Sequence, residues 1–96
     1  MGADMGADMG NTVRHEGRVR YRSGEFAAGA IVAVQRGTAP TPEIAIRCDA
    51  KGGFHIALPP GRYDIEARAP GGEFGTVSVE TGSEAQIIEI VLNDGR

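Results

Sequence analysis

The sequence predicts an all-β domain, a seven-stranded antiparallel Greek-key β-sandwich of immunoglobulin-like architecture, and three observations carry that reading. The run from Gly52 to Gly72 holds two apolar alternations, Phe54-Ile56-Leu58 and Tyr63-Ile65-Ala67, on either side of Pro59-Pro60-Gly61. Alternation with period two marks a strand with one buried face. Proline has no ladder donor, so the chain must turn between the two runs. Further segments of this kind recur along the chain at the spacing of about 8–12 residues expected of a sandwich. No window carries a helical period, and 15 glycines in 96 residues suit a fold with many turns.

Each element follows from its own residues. Val13 to Tyr21 reads as the first strand, with Val19 and Tyr21 on one face and Arg18, Arg20 and then Arg22 on the other. Ser23-Gly24-Glu25 turns the chain. Gly29 opens a second strand whose Ala30, Val32 and Val34 share the inward face. Arg36 to Pro42 is a loop, because two closely spaced prolines do not lie in a central strand. Ile44, Ile46 and Cys48 alternate as a third strand, and Asp49-Ala50-Lys51-Gly52-Gly53 turns it into Phe54–Leu58 through a longer, glycine-containing hairpin. Tyr63–Ala69 sets Asp64, Glu66 and Arg68 outward. Gly75–Glu80 points Val77 and Val79 inward, Thr81-Gly82-Ser83-Glu84 turns, and Gln86–Leu92 is the last strand. The opening MGADMGADMGN repeats every four residues and reads as a disordered tail, native or left over from expression. Residues 1–12 are therefore set apart from a domain at 13–96.

Ninety-six residues make one domain, burying roughly 60–65% of the unfolded surface. That suffices for one core between two sheets and leaves no room for an enclosed cofactor. With no tryptophan and few aromatics the core is aliphatic. A net charge of −3 argues against nucleic acid, which calls for a basic excess. No apolar run approaches the roughly 20 residues of a membrane-spanning helix. The start has neither the basic nor the apolar region of a signal peptide. Cys48 is alone, so it forms no internal disulfide, and it reads as a small buried apolar group.

The order GRVRYRSGEFAAGAIVAV, CDAKGGF, LPPGRYDIEARAPGG, TVSVETGSEAQIIEIVL, from about Gly17 to Leu92, resembles the carboxypeptidase regulatory-like domain, a transthyretin-like β-sandwich. Its pieces are collinear: G-x-V, G-A-x-V-x-V, D-x-x-G-x-F, L-P-P-G-x-Y-x-I-x-A and a late apolar strand. Cys48 stands where relatives usually carry threonine or serine. The resemblance implies a non-catalytic scaffold or contact module working outside the cytoplasm, in the periplasm or at a cell surface of a bacterium.

Candidate chemistry is thin. Tyr21-Arg22-Ser23-Gly24 is similar to a permuted form of the closing signature of 5-hydroxyisourate hydrolase, another transthyretin-fold family. It lies near the wrong terminus, and the two histidines, His15 and His55, fall short of that family's set. The intramolecular isopeptide bond of pilin-like domains needs a buried lysine, whereas the lone Lys51 lies in a glycine-rich turn. Cys48 and His55 flank one hairpin, with Asp49 as a third group, but a nucleophile needs its base within hydrogen-bond reach. A simpler arrangement has Cys48 inward and His55 in water. His15, His55 and Cys48 fit no zinc spacing, so no metal and no cofactor is expected. Asp64 and Glu66 share a solvated strand face.

The residues left over are those of an interaction surface. Arg18, Arg20 and Arg22 form a basic stripe, whose simplest use is cross-strand pairing with Asp64, Glu66 or Glu89. If Ile88, Ile90 and Leu92 face the core, then Ile87 and Val91 face outward, as Ile31 does on the second strand. Exposed β-branched residues on a sandwich face mark a neighbouring domain or subunit. The expectation is a non-enzymatic accessory module contacting a protein or neighbouring domain, with weak homodimerisation as one form of that contact. A carbohydrate-binding module of an envelope or secreted protein is the alternative, weakened by the absence of tryptophan and the few aromatics (Tyr21, Phe26, Tyr63, Phe74) that could platform a sugar.

Overall fold

In the computed structural model, which describes residues 12–38 and 45–93, alternation becomes two sheets. The strands are β1 (Val13–Tyr21), β2 (Ile31–Gly37), β3 (Ile46–Arg47), β4 (Gly53–Leu58), β5 (Gly61–Arg68), β6 (Phe74–Thr81) and β7 (Ile87–Leu92). One sheet has the order β4-β1-β7 and the other β3-β2-β5-β6. Val19, Val32, Phe54, Ile56, Leu58, Tyr63, Ile65, Ile88, Ile90 and Leu92 are all buried between them. These are the inward positions that period-two alternation assigned.

Two expectations need correction. The sandwich is not wholly antiparallel: β1 and β7 pair in parallel, from Glu16 opposite Ile87 to Tyr21 opposite Leu92. Successive strands reverse direction, so the odd-numbered ones run the same way, and the first and last are neighbours. Of the third strand expected over Ile44–Cys48, Ile46–Arg47 pair with β2 among the described residues, and the strand ends before Cys48. Cys48 continues that register by a single bond, its N–H donating to the Ala30 carbonyl at 2.8 Å. The tail at residues 1–11, the prolines Pro40 and Pro42, and Ile44 lie outside the described residues.

The recurring sequence pieces acquire definite mechanical roles. In Asp49-Ala50-Lys51-Gly52-Gly53, one Asp49 carboxylate oxygen accepts from the N–H groups of Lys51 and Gly53, both at 2.8 Å. These bonds hold the Asp49 carboxyl below the usual carboxylate range. Gly52 sits at φ +72° with its α-carbon against the Val19 carbonyl, so a side chain has neither the backbone region nor the space there. At the Pro59-Pro60 corner the Tyr63 hydroxyl donates to the Pro59 carbonyl at 2.8 Å, and Thr81 donates to the same oxygen at 2.9 Å. Gly17 on β1 faces Phe54 on β4, and the phenyl ring occupies the space a β-carbon would take.

Candidate functional site

The structure does not bring together the polar groups that the sequence set close to one another. Cys48 is buried, and desolvation together with the neighbouring Asp49 pushes its thiol up to about 11. A thiol of that pKa stays protonated near neutrality and is a poor nucleophile. His55 stands on the outer face of β4, exposed, with Nε2 3.6 Å from Glu16. The two side chains leave the hairpin on different sides and form no dyad. Lys51 is exposed in its turn. Tyr21 to Gly24 closes a turn, with the Gly24 N–H on the Tyr21 carbonyl at 2.8 Å and Gly24 at φ +99°. Among the described residues no group of three or more His, Cys, Asp or Glu side chains could hold a metal ion.

His15 is a residue whose setting the sequence reading missed. It is fully buried on β1, its Nδ1 accepts the Gln86 N–H at 3.0 Å, and its Nε2 has no partner. The accepting Nδ1 places the proton on Nε2. Desolvation lowers its pKa below the usual histidine value, so the ring is neutral. The missed signal was parity, because His15 shares the odd-numbered face of β1 with Val19.

The exposed apolar residues fall on opposite sides of the sandwich. The outer face of β4-β1-β7 carries rows His55–Glu16–Ile87 and Gly53–Arg18–Glu89, with Arg20 beside Val91. Ile87 is 79% exposed and Val91 39%, both on β7, an edge strand. Arg20 donates through Nε to Glu89 at 2.8 Å, and this bond keeps the Glu89 carboxyl below its ordinary range. Glu89 is thus the cross-strand partner; Asp64 and Glu66 belong to the other sheet. Arg22 lies beyond the end of β1 in the turn and does not continue the stripe.

Ile31, 36% exposed, sits on the outer face of the four-stranded sheet and so is not continuous with Ile87 and Val91. There Asp64 accepts from the Ser78 hydroxyl at 2.7 Å, while Glu66 accepts from Gln35 Nε2 at 3.2 Å and from Arg68 at 3.5 Å. Each acid, on the shared outer face of β5, is thus occupied by neighbours across or along the sheet. Of the aromatics considered for sugar stacking, Tyr63 is buried, Tyr21 packs on the core, Phe74 lies under the Arg68 guanidinium at 5.7 Å, and Phe26 is 50% exposed.

What the geometry offers, then, is a sheet face with a β-branched edge and a half-neutralised row of arginines. It can bury against another surface, and its described depression, beside Glu16, His55 and Ile87, is open to solvent. Among the described residues no helix is long and apolar enough to cross a membrane. A family model described as carboxypeptidase regulatory-like domain matches residues 16–93. No curated protein matches the chain.

Proposed function

The chain belongs to the carboxypeptidase regulatory-like domain family, and we propose that it is an accessory contact module that holds another protein surface against the outer face of β4-β1-β7. Domains of this family are typically non-catalytic β-sandwich modules. The observation that carries the reading is the exposure of Ile87 on an edge strand, with Val91 four residues along the same face. A β-branched side chain left 79% exposed gives up roughly 1.5–3 kcal/mol that burial against a partner recovers. Arg18 and the Arg20–Glu89 pair beside it supply a polar rim of the kind that fixes orientation. The occupant is a folded protein surface: a neighbouring domain, or a second copy when no other partner is present. Work outside the cytoplasm accords with the family's usual setting, which is often extracellular or periplasmic.

Sedimentation of the isolated protein over a wide concentration range tests the proposal. The exposed edge should drive weak self-association, and the double change Ile87→Thr with Val91→Thr should abolish it while leaving the melting temperature in place. A protein that stays strictly monomeric, with solubility and binding indifferent to both changes, would count against the contact role.

A further inference from the structure

The opposite face of the sandwich carries a second feature, independent of the edge at Ile87. Arg47 on β3, Ile31 on β2, Arg68 on β5 and Phe74 on β6 are successive register partners, so they form one row across the four-stranded sheet. Two cations flank an isoleucine, and the far cation is braced on an aromatic ring. Next to this row lies an open depression of about 450 Å³, floored by Gly29, Ala33, Ala69 and Pro70 with Ile31, and edged by Arg47, Arg68 and Glu66. The small floor residues make the hollow, and a longer side chain at Ala33, on the outer face of β2 beside Ile31, would fill it.

The charges around the hollow do not cancel. Arg47 has no acidic partner within ion-pair distance among the described residues. Arg68 reaches Glu66 only at 3.5 Å, and Glu66 is also held by Gln35. Two arginines against one glutamate leave one net positive charge beside an apolar floor. Neighbouring strands lie about 4.7–4.9 Å apart, so the Arg47 and Arg68 α-carbons are separated by roughly 9.5 Å. Both arginines edge the hollow, and the Arg68 guanidinium rests over Phe74, on the side away from Arg47, so its side chain must rotate toward β2 to share a ligand above Ile31 with Arg47.

We propose that this depression binds the C-terminal residue of a polypeptide, its α-carboxylate between Arg47 and Arg68 and its apolar side chain on Ile31 and the small-residue floor. A carboxylate and an apolar side chain that share one α-carbon meet two adjacent demands, a paired guanidinium site and a greasy floor. An aspartate or glutamate inside a chain brings the charge without the apolar group beside it. Guanidinium–carboxylate hydrogen bonds are the strong, geometrically selective kind.

The test is a titration of the whole ¹⁵N-labelled chain with acetyl-GSGAL as the free acid, followed by amide shifts. The free acid should shift Ile31, Ala33, Arg47 and Arg68 saturably, and the same peptide as its C-terminal amide should bind about tenfold more weakly or worse, as expected for losing charged hydrogen bonds. Arg47→Gln and Arg68→Gln, both at exposed positions, should each weaken the acid by a similar factor and leave the amide unaffected. Should Arg68→Gln disturb the fold through Phe74, Arg47→Gln alone decides the matter. Equal binding of acid and amide would overturn the proposal. So would equal binding of acetyl-GSDAL amide, whose acid is internal, or the absence of any saturable shift at this face.

Discussion

Replacing Gly17 by alanine should destabilise the domain, and the size of the loss should depend on residue 54. A β-carbon built on Gly17 would stand 2.0, 2.3 and 2.5 Å from three ring atoms of Phe54. Carbon atoms prefer about 3.5–4.0 Å, so the ring would have to withdraw by more than 1 Å. Phe54 is only 4% exposed and pinned within the core. Overpacking of this kind costs about 1–3 kcal/mol. Gly17 is not among the positive-φ glycines, so no backbone strain adds to the steric term. In a Phe54→Leu background, itself about 1 kcal/mol less stable, the obstructing ring atoms are gone. There Gly17→Ala should be neutral or slightly stabilising, since alanine loses less backbone entropy than glycine. Urea unfolding of the four proteins gives the coupling energy, which should reach at least about 1 kcal/mol. Costs that add to within about 0.5 kcal/mol would refute the ring-over-glycine contact.

Other outcomes follow from the same structure. Tyr63→Phe should lose about 0.5–1 kcal/mol, at the low end for a hydrogen bond because Thr81 still donates to the Pro59 carbonyl; urea unfolding of Tyr63→Phe with Thr81→Val should show a larger than additive loss. His15 is buried neutral, with its folded pKa below the ordinary 6.5. The unfolded chain therefore binds a proton that the folded one resists, so stability is full above that value and falls as pH drops below it. His15→Gln should flatten the decline in melting temperature between about pH 7 and about pH 5, whatever its baseline. Loss at lower pH belongs to Asp49 and Glu89, whose lowered pKa values make their contribution disappear only as acid protonates them in the folded state. Cys48, buried with its thiol at about 11, should react with iodoacetamide near neutrality only at the rate of unfolding, and rapid labelling of the native protein would contradict its placement.

The fold was legible because alternation is a local signal. Phe54, Ile56 and Leu58, or Ile88, Ile90 and Leu92, announce their buried face without reference to any partner strand, and Pro59-Pro60 marks the reversal between sheets. What alternation does not encode is pairing. The parallel β1–β7 neighbours emerge only once successive reversals are counted. That β3 pairs with β2 through Ile46 and Arg47, with one further bond from the Cys48 N–H to Ala30, is likewise a matter of the partner strand and not of alternation. The same limit governs the candidate surfaces. Outward positions such as Ile31 and Ile87 could be read from parity, but parity does not say which sheet a strand joins. Residues that looked like one patch therefore stand on two faces. The Arg47–Ile31–Arg68–Phe74 row spans four strands remote in sequence and could be assembled only from the register. His15 was hidden differently: a polar residue at an inward position contradicts the pattern, and its acceptance of the Gln86 N–H is a contact 71 residues away.

Adjacent residues with opposite assignments offer the sharpest comparison. Ile88 is 2% exposed and Ile87 79% exposed on the same strand. Urea unfolding of Ile88→Thr should show a loss of about 2–4 kcal/mol, from a cavity and a buried hydroxyl. Ile87→Thr should stay within about 0.5 kcal/mol of the parent. Equal losses at the two positions, or the reverse order, would contradict the inward–outward register from which the core and the proposed contact edge both derive.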